Sequence, residues 1–165
     1  MQSVLRYLAL PSEDTERTVS VETKTVLQEA GLLHKSADGL AITSYGFQFL
    51  LMDYAKQIWS YLVHYLEYME KKSSSPEEAI SFLLASVFCS LDKAYTTEML
   101  SSASLNFLQH LRGIGLVYQR KRKAGWFCFT ALTAILSNFT MSLSHKPKGF
   151  LIVETNFRLY AFTGE

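Results

Sequence analysis

Four consecutive cations, Arg120, Lys121, Arg122 and Lys123, are the residues best suited to a recognisable chemistry, the neutralisation of phosphates or of an acidic protein surface. They are too alike in charge to be buried, so they must face water, and Gly125 behind them lets the chain reverse. Arg112, Lys146 and Lys148 strengthen the same field. If all four cations engaged phosphates, binding would weaken with salt at a log-log slope of about −3.6. Sequence-selective readout is not expected, because the apolar helix before the run offers only Asn106, Gln109, His110 and Arg112 as polar readers. The plain alternatives are a solvated turn or contact with an acidic partner.

Bond-making chemistry finds no comparable set. His34, His64, His110 and His145 are scattered without HxxxH or HExxH pairing, and Cys89 and Cys128 lie in apolar runs without CxxC spacing, so no metal site or disulfide framework is expected. Gly113-Ile114-Gly115 lacks the third glycine of a dinucleotide loop, and no GxxxxGK[ST] or GxSxG occurs. The expectation is a binding protein with no catalytic residue, cofactor or small-molecule substrate. Aromatic density suggests where it binds. Trp59, Tyr61 and Tyr68 are candidates for a protein interface, whereas Trp126 is expected in the core. Asn138-Phe139-Thr140 matches a glycosylation sequon, which is read as incidental.

The elements that must position these residues follow from spacing. In 105–129, Leu105, Phe107, Leu108 and Leu111 form a helical apolar face, Gly113 and Gly115 can end the helix, and Leu116-Val117-Tyr118 and residues 126–129 read as strands flanking the basic turn. That is the second half of a winged helix. Upstream, 22–30 reads as a helix closing at Gly31, and Leu32-Leu33-His34 and Leu40-Ala41-Ile42 flank the turn signal Asp38-Gly39. The order helix, glycine, strand, turn, strand, threonine therefore occurs twice, ending at Thr43 and at Thr130.

Between these, Phe47, Leu50, Leu51, Tyr54, Ile58, Leu62, Tyr65, Leu66 and Met69 predict one helix over 45–69, capped by Thr43 or Ser44 and about 37 Å long. Ser73-Ser74-Ser75-Pro76 marks the main boundary, with Ser75 capping a core helix over 76–90 that has Pro76 in its first position. Thr96-Thr97-Glu98 opens a short helix through Leu100, and 131–136 another. Residues 137–148 read as a linker, and Phe150-Leu151-Ile152-Val153 with 157–161 as a hairpin around Thr155-Asn156. The first ten residues are apolar but interrupted by Arg6, a helix remnant and a poor secretory signal. The uncharged apolar run 79–91 falls short of the ~18 residues of a membrane span.

The fold class expected is α+β, mainly α: tandem winged-helix-like units joined by a long helix, with a C-terminal β-hairpin. The divisions are 1–72, 73–140, and 141–165 as linker and hairpin. Charge is uneven across them. No Asp or Glu lies between Glu98 and Glu154 while seven Lys or Arg do, leaving the rest of a +1 chain at −6. Such asymmetry often marks an anionic partner.

Three blocks carry a resemblance. Leu105-Asn106-Phe107-Leu108-Gln109-His110-Leu111-Arg112, Gly115-Leu116-Val117 and Gln119-Arg120-Lys121-Arg122-Lys123 closely resemble the fourth subunit of general transcription factor IIH, the family that anchors the XPB translocase. Thr43-Ser44, Gly46-Phe47-Gln48-Phe49-Leu50-Leu51, Asp53, Gln57 and Trp59 look like the family's preceding segment, and Val153-Glu154-Thr155-Asn156, Arg158-Leu159-Tyr160-Ala161 and Thr163 like the one that follows. The resemblance implies a nuclear scaffold in the factor IIH core, serving promoter opening and nucleotide-excision repair by holding XPB and stimulating its ATPase. Its implied partners are the other core subunits and XPB, whose anchoring region in the family lies beyond the third block, so the chain is read as the middle of a longer member. Non-specific DNA contact by the basic turn remains open. The competing expectation is a stand-alone winged-helix nucleic-acid-binding regulator.

Overall fold

In the computed structural model, residues 1–36, 39–72, 75–91, 93–122, 124–142, 149–153 and 158–163 are described. Asp38, Ser73, Ser74, Lys123, His145, Lys146, Pro147, Lys148, Thr155 and Asn156 lie outside them, so the expectations resting on these residues do too. The chain is mainly helical with small antiparallel sheets. Its order is α1 (Gln2–Ala9), α2 (Glu13–Glu16), α3 (Val21–Glu29), β1 (Leu33–Ser36), β2 (Gly39–Ile42), α4 (Ser44–Leu51), α5 (Tyr54–Lys71), α6 (Glu77–Val87), β3 (Ala94–Thr96), α7 (Ser102–Ile114), β4 (Val117–Tyr118), β5 (Trp126–Phe129), α8 (Ala131–Ser142), β6 (Gly149–Val153) and β7 (Leu159–Thr163).

The repeated device is built twice with the same bonds. α3 ends at Gly31 (φ 69°) and α7 at Gly115 (φ 87°), backbone conformations that disfavour any side chain bearing a Cβ. Past each glycine the next amide folds back, Leu32 N–H onto the Leu27 carbonyl and Leu116 N–H onto that of Leu111, both at 3.0 Å. A threonine then closes each hairpin. Thr43 N–H donates to the Leu32 carbonyl and its hydroxyl to that of Gly31, while Thr130 does the same to Leu116 and Gly115. Three residues later the copies diverge for one physical reason. Gly46 lies so close to the Leu32 carbonyl oxygen that a Cβ would run into it, whereas Thr133 offers its hydroxyl to the corresponding Leu116 carbonyl at 2.7 Å.

The long helix expected over 45–69 is two helices. Met52 is extended (ψ 154°) and Asp53 starts α5 afresh, its carboxylate accepting the Lys56 amide at 3.0 Å. The carbonyls freed at the end of α4 are not left bare: the Gln57 side-chain amide donates to Phe49 and Leu50. The break resets the phase. In α4 it is Gly46 and Phe49 that are buried, leaving Phe47 and Leu51 in water. α5 packs against both α3 and α8, so its buried arc is wide enough to take in Tyr61 and Tyr68 as well as Ile58, Leu62 and Tyr65.

Three further expectations change. α6 is not a central helix; it buries Ala79, Leu83 and Ser86 on one face and leaves Ile80, Leu84 and Phe88 outside. No helix forms over 96–100. Instead Ala94–Thr96 is a strand, because pairing with β5 seats Tyr95 against Phe127 and Phe129. α8 runs on to Ser142, into the segment expected to be a linker.

Strand order in the larger sheet is β3-β5-β4, all antiparallel, with Tyr95 opposite Phe127 and Val117 opposite Phe129. Alternation along β5 turns Phe127 and Phe129 inward, which forces Trp126 outward and overturns its expected place in the core. β1 pairs with β2 from Leu33 opposite Ile42 to Ser36 opposite Gly39, and β6 with β7 from Gly149 opposite Thr163 to Val153 opposite Leu159. Buried side chains from α1 through α8, on both sides of the expected boundary at 72/73, join one hydrophobic core. In it Leu108 and Leu111 are fully buried, each contributing about 1.5–3 kcal/mol. No helix among the described residues is long and apolar enough to cross a membrane.

Gly46→Ala is expected to cost roughly 2–3 kcal/mol through the clash with the Leu32 backbone. Gly113→Ala, inside α7 with open space around it, should stabilise by about 0.5–1 kcal/mol. Urea unfolding monitored by circular dichroism measures both. Equal midpoints for the two variants would remove the role assigned to the Gly46 contact.

Candidate functional site

The basic turn is held by α7, which Ser101 caps by accepting the Ser104 amide and Gly115 ends. Gln119, at the end of β4, is buried and works in both directions: its carbonyl accepts from the Gln109 amide at 2.8 Å and its own amide donates to the Ala124 carbonyl at 2.8 Å. Gln109 also donates to the Arg122 carbonyl, and Arg112 Nε to that of Gln119, at 3.2 Å each. Arg120, Lys121 and Arg122 are therefore carried on a braced turn, exposed, and among the described residues none of them forms an ion pair.

This geometry redistributes the polar readers on α7. Gln109 and Arg112 brace the turn, His110 is buried, and Asn106 alone of the four stays exposed. The arrangement can present a cationic point to an anion, with Asn106 the one exposed reader of the four left on α7. Gln119 stood in the sequence only as part of the resemblance block at 119–123; a buried glutamine at a strand end has no spacing signature to give its bracing role.

His110 organises a second constellation. Its Nδ1 lies 3.3 Å from a Glu22 carboxylate oxygen and its Nε2 3.0 Å from the Tyr61 hydroxyl, which also approaches Thr23 Oγ1 at 3.3 Å. Tyr65 stacks on the imidazole at 3.6 Å between ring centres and reaches Glu22 with its hydroxyl at 3.4 Å. Burial lowers the His110 pKa below its ordinary value, outweighing the opposing pull of Glu22. The hydrogen bond from His110 lowers that of Glu22. One protonation state satisfies both: a neutral imidazole whose Nδ1–H donates to the carboxylate and whose Nε2 accepts from Tyr61. Burial raises the pKa of both Tyr61 and Tyr65, keeping the phenols protonated.

A Glu-His-Tyr chain invites comparison with a catalytic relay. Tyr61, at its inner end, is fully buried, so no substrate atom can meet its oxygen. The outer side of His110 faces a cleft of about 720 Å³ between the ends of α3, α5 and α6 and the side of α7, with Glu22, Lys72, Glu77 and Arg122 on its walls. Charges of both signs on its walls make it a polar seam. Among the described residues no three His, Cys, Asp or Glu side chains gather to hold a metal ion.

The aromatics expected at an interface need correction. Tyr61 and Tyr68 are buried within the chain, because α5 is covered on two sides, and Tyr68 has the Lys72 ammonium 4.6 Å from its ring centre. Trp59 is half-buried against the core.

The whole chain, residues 1–165, matches the family model described as Transcription factor Tfb2. It is 34% identical over 165 residues to the general transcription and DNA repair factor IIH subunit TFB2 of Yarrowia lipolytica, an alignment covering 89% of this chain and 35% of the relative. The Arabidopsis thaliana protein of the same name is 36% identical over 146 residues, with 88% and 32% covered. General transcription factor IIH subunit 4 of Dictyostelium discoideum is 34% identical over 177 residues, with 98% and 36% covered. The chain thus spans about a third of the length of these curated relatives.

The histidine knot carries a pH signature. The unfolded chain takes up a proton at His110 near pH 6.5 while the folded chain resists it, so stability is complete above that pH and declines as pH falls below it. Glu22, depressed in the folded state, adds a second loss below about pH 4.5. His110→Gln should cost about 1–3 kcal/mol at pH 7.5 yet flatten the decline between pH 7 and 5.5. Thermal melts across that range read it; an unchanged slope would mean that His110 is not the group titrating.

Proposed function

Since the chain belongs to the transcription factor Tfb2 family, we propose that it is a scaffold portion of a general transcription and DNA repair factor IIH subunit, working through protein contacts and not by chemistry. The match along all 165 residues carries this reading. On it, the chain serves in the nucleus, in transcription initiation by RNA polymerase II and in nucleotide-excision repair, alongside the other factor IIH core subunits. The longer protein would position XPB and stimulate its ATPase, with the direct XPB contact made outside this chain. The β3-β5-β4 order beside α6 and α7 supports taking 73–140 as a winged-helix unit. Trp59 and the apolar side chains left in water on α4 and α6 are suited to subunit contacts.

A second reading, a stand-alone nucleic-acid-binding regulator, draws on the exposed turn of Arg120, Lys121 and Arg122. In the scaffold such a turn adds weak, non-specific DNA contact. Two measurements separate the readings. Wild type and a variant with Arg120→Ala, Lys121→Ala, Arg122→Ala and Lys123→Ala should bind a reconstituted factor IIH core lacking its Tfb2 subunit equally well. Any DNA affinity should fall with salt at a slope of about −3.6 and vanish in the variant. Sequence-selective DNA binding by the isolated chain, without binding to the core, would defeat the scaffold.

A further inference from the structure

Helix α6 leaves more large apolar side chains in water than it buries. Ile80, Leu84 and Phe88, four residues apart, are 41, 61 and 89% exposed and make one ridge. Beside the ridge, Met99 is 90% exposed in the turn after β3 and, with Leu100, Ser81, Phe82 and Ala85, lines a groove of about 360 Å³. The rim is acidic. Glu77 and Glu78 stand at the first turn of α6, and Glu98 is exposed next to Met99. Glu78 is tied to Ser101 and Ser104 at the start of α7, which fixes one wall of the groove, whereas Glu77 and Glu98 form no ion pair among the described residues.

A ridge at four-residue spacing beside a groove is the relief into which a second helix packs. The rim decides which helix. In a two-fold contact a second copy of this chain would offer the same acidic patch, and an anionic membrane or a nucleic acid would be repelled by Glu77, Glu78 and Glu98. We propose that this face docks an amphipathic helix of a partner subunit, its apolar stripe on Ile80, Leu84, Phe88 and Met99 and its lysines or arginines toward Glu77 and Glu98. The inference rests on the scaffold reading and deepens it. The ridge from Ile80 to Phe88 is about 12 Å long, so about two to three turns of partner helix suffice.

The test uses this chain and a reconstituted factor IIH core lacking its Tfb2 subunit, with affinity read by biolayer interferometry. Leu84→Ser together with Phe88→Ser, both on the surface and checked for folding by circular dichroism, should weaken binding at least about 30-fold. Glu77→Lys with Glu98→Lys should weaken it about tenfold at low salt, with the difference shrinking as salt is raised. A photo-crosslinking residue at position 84 should label one core segment carrying an apolar helical stripe with Lys or Arg at its flank. Unchanged affinity of the Leu84/Phe88 variant, or labelling of an acidic segment or of a second copy of the chain, overturns the docking surface and leaves the scaffold standing. Absence of binding by the wild-type chain overturns both.

Discussion

A neutral imidazole held between a carboxylate and a phenol hydroxyl is the interaction on which the arrangement of this chain depends. Glu22 belongs to α3, Tyr61 to α5 and His110 to α7, so a single ring fastens three helices drawn from both sides of the connection at 72–75. Buried polar groups are expensive unless every one has a partner, and here each partner is supplied by a different helix. Displacing Glu22 or Tyr61 leaves a ring nitrogen of the buried His110 without its partner. That requirement, added to non-directional apolar burial, sets how α7 is rotated about its own axis. It turns His110 inward and leaves the Gln109–Arg112 side to the basic turn.

Around that centre the chain solves the same local problem twice. A helix ends on a left-handed glycine, the next amide folds back, and a threonine satisfies the remaining carbonyls from the far side of a hairpin. The two copies serve different ends. The first hairpin is short and leads through Gly46 into α4, packed too tightly on Leu32 for any Cβ. The second projects Arg120, Lys121 and Arg122 while Gln109 and Gln119 tie its strands to α7. A turn tethered this way presents its charges at low entropic cost.

The surface divides by the kind of contact it suits. α5 concentrates aromatic side chains yet is covered on two sides, so its tyrosines serve the interior. α6 carries aliphatic side chains and Phe88 that nothing within the described chain covers. Such a division suits the scaffold role proposed for this segment of the Tfb2 family, with a polar knot and an aromatic core for internal order and an apolar helix face and a cationic turn facing outward.

Local structure was legible from residue order wherever a backbone signal stood beside it. Gly31 and Gly115, the capping threonines, the strands around the basic turn and the α7 stripe all follow from near-neighbour physics, while family membership was read from the resemblance of three residue blocks and not from spacing. Asp53 was visible too, but an uninterrupted apolar pattern masked its power to restart a helix. What stayed hidden was which face of each element meets which other element. Tyr61 and Tyr68 were interface candidates because burial is set by helices distant in sequence, Tyr61 meeting Thr23 of α3 and His110 of α7. Trp126 looked buried because only pairing with β3 and β4 fixes the parity of β5. α6 looked central because a helix apolar all round does not declare which side it will leave bare. Spacing along the chain fixes periodicity; whether a side chain ends in core or in water is set by partners dozens of residues away, and Glu22 and His110 meet only once the helices have packed.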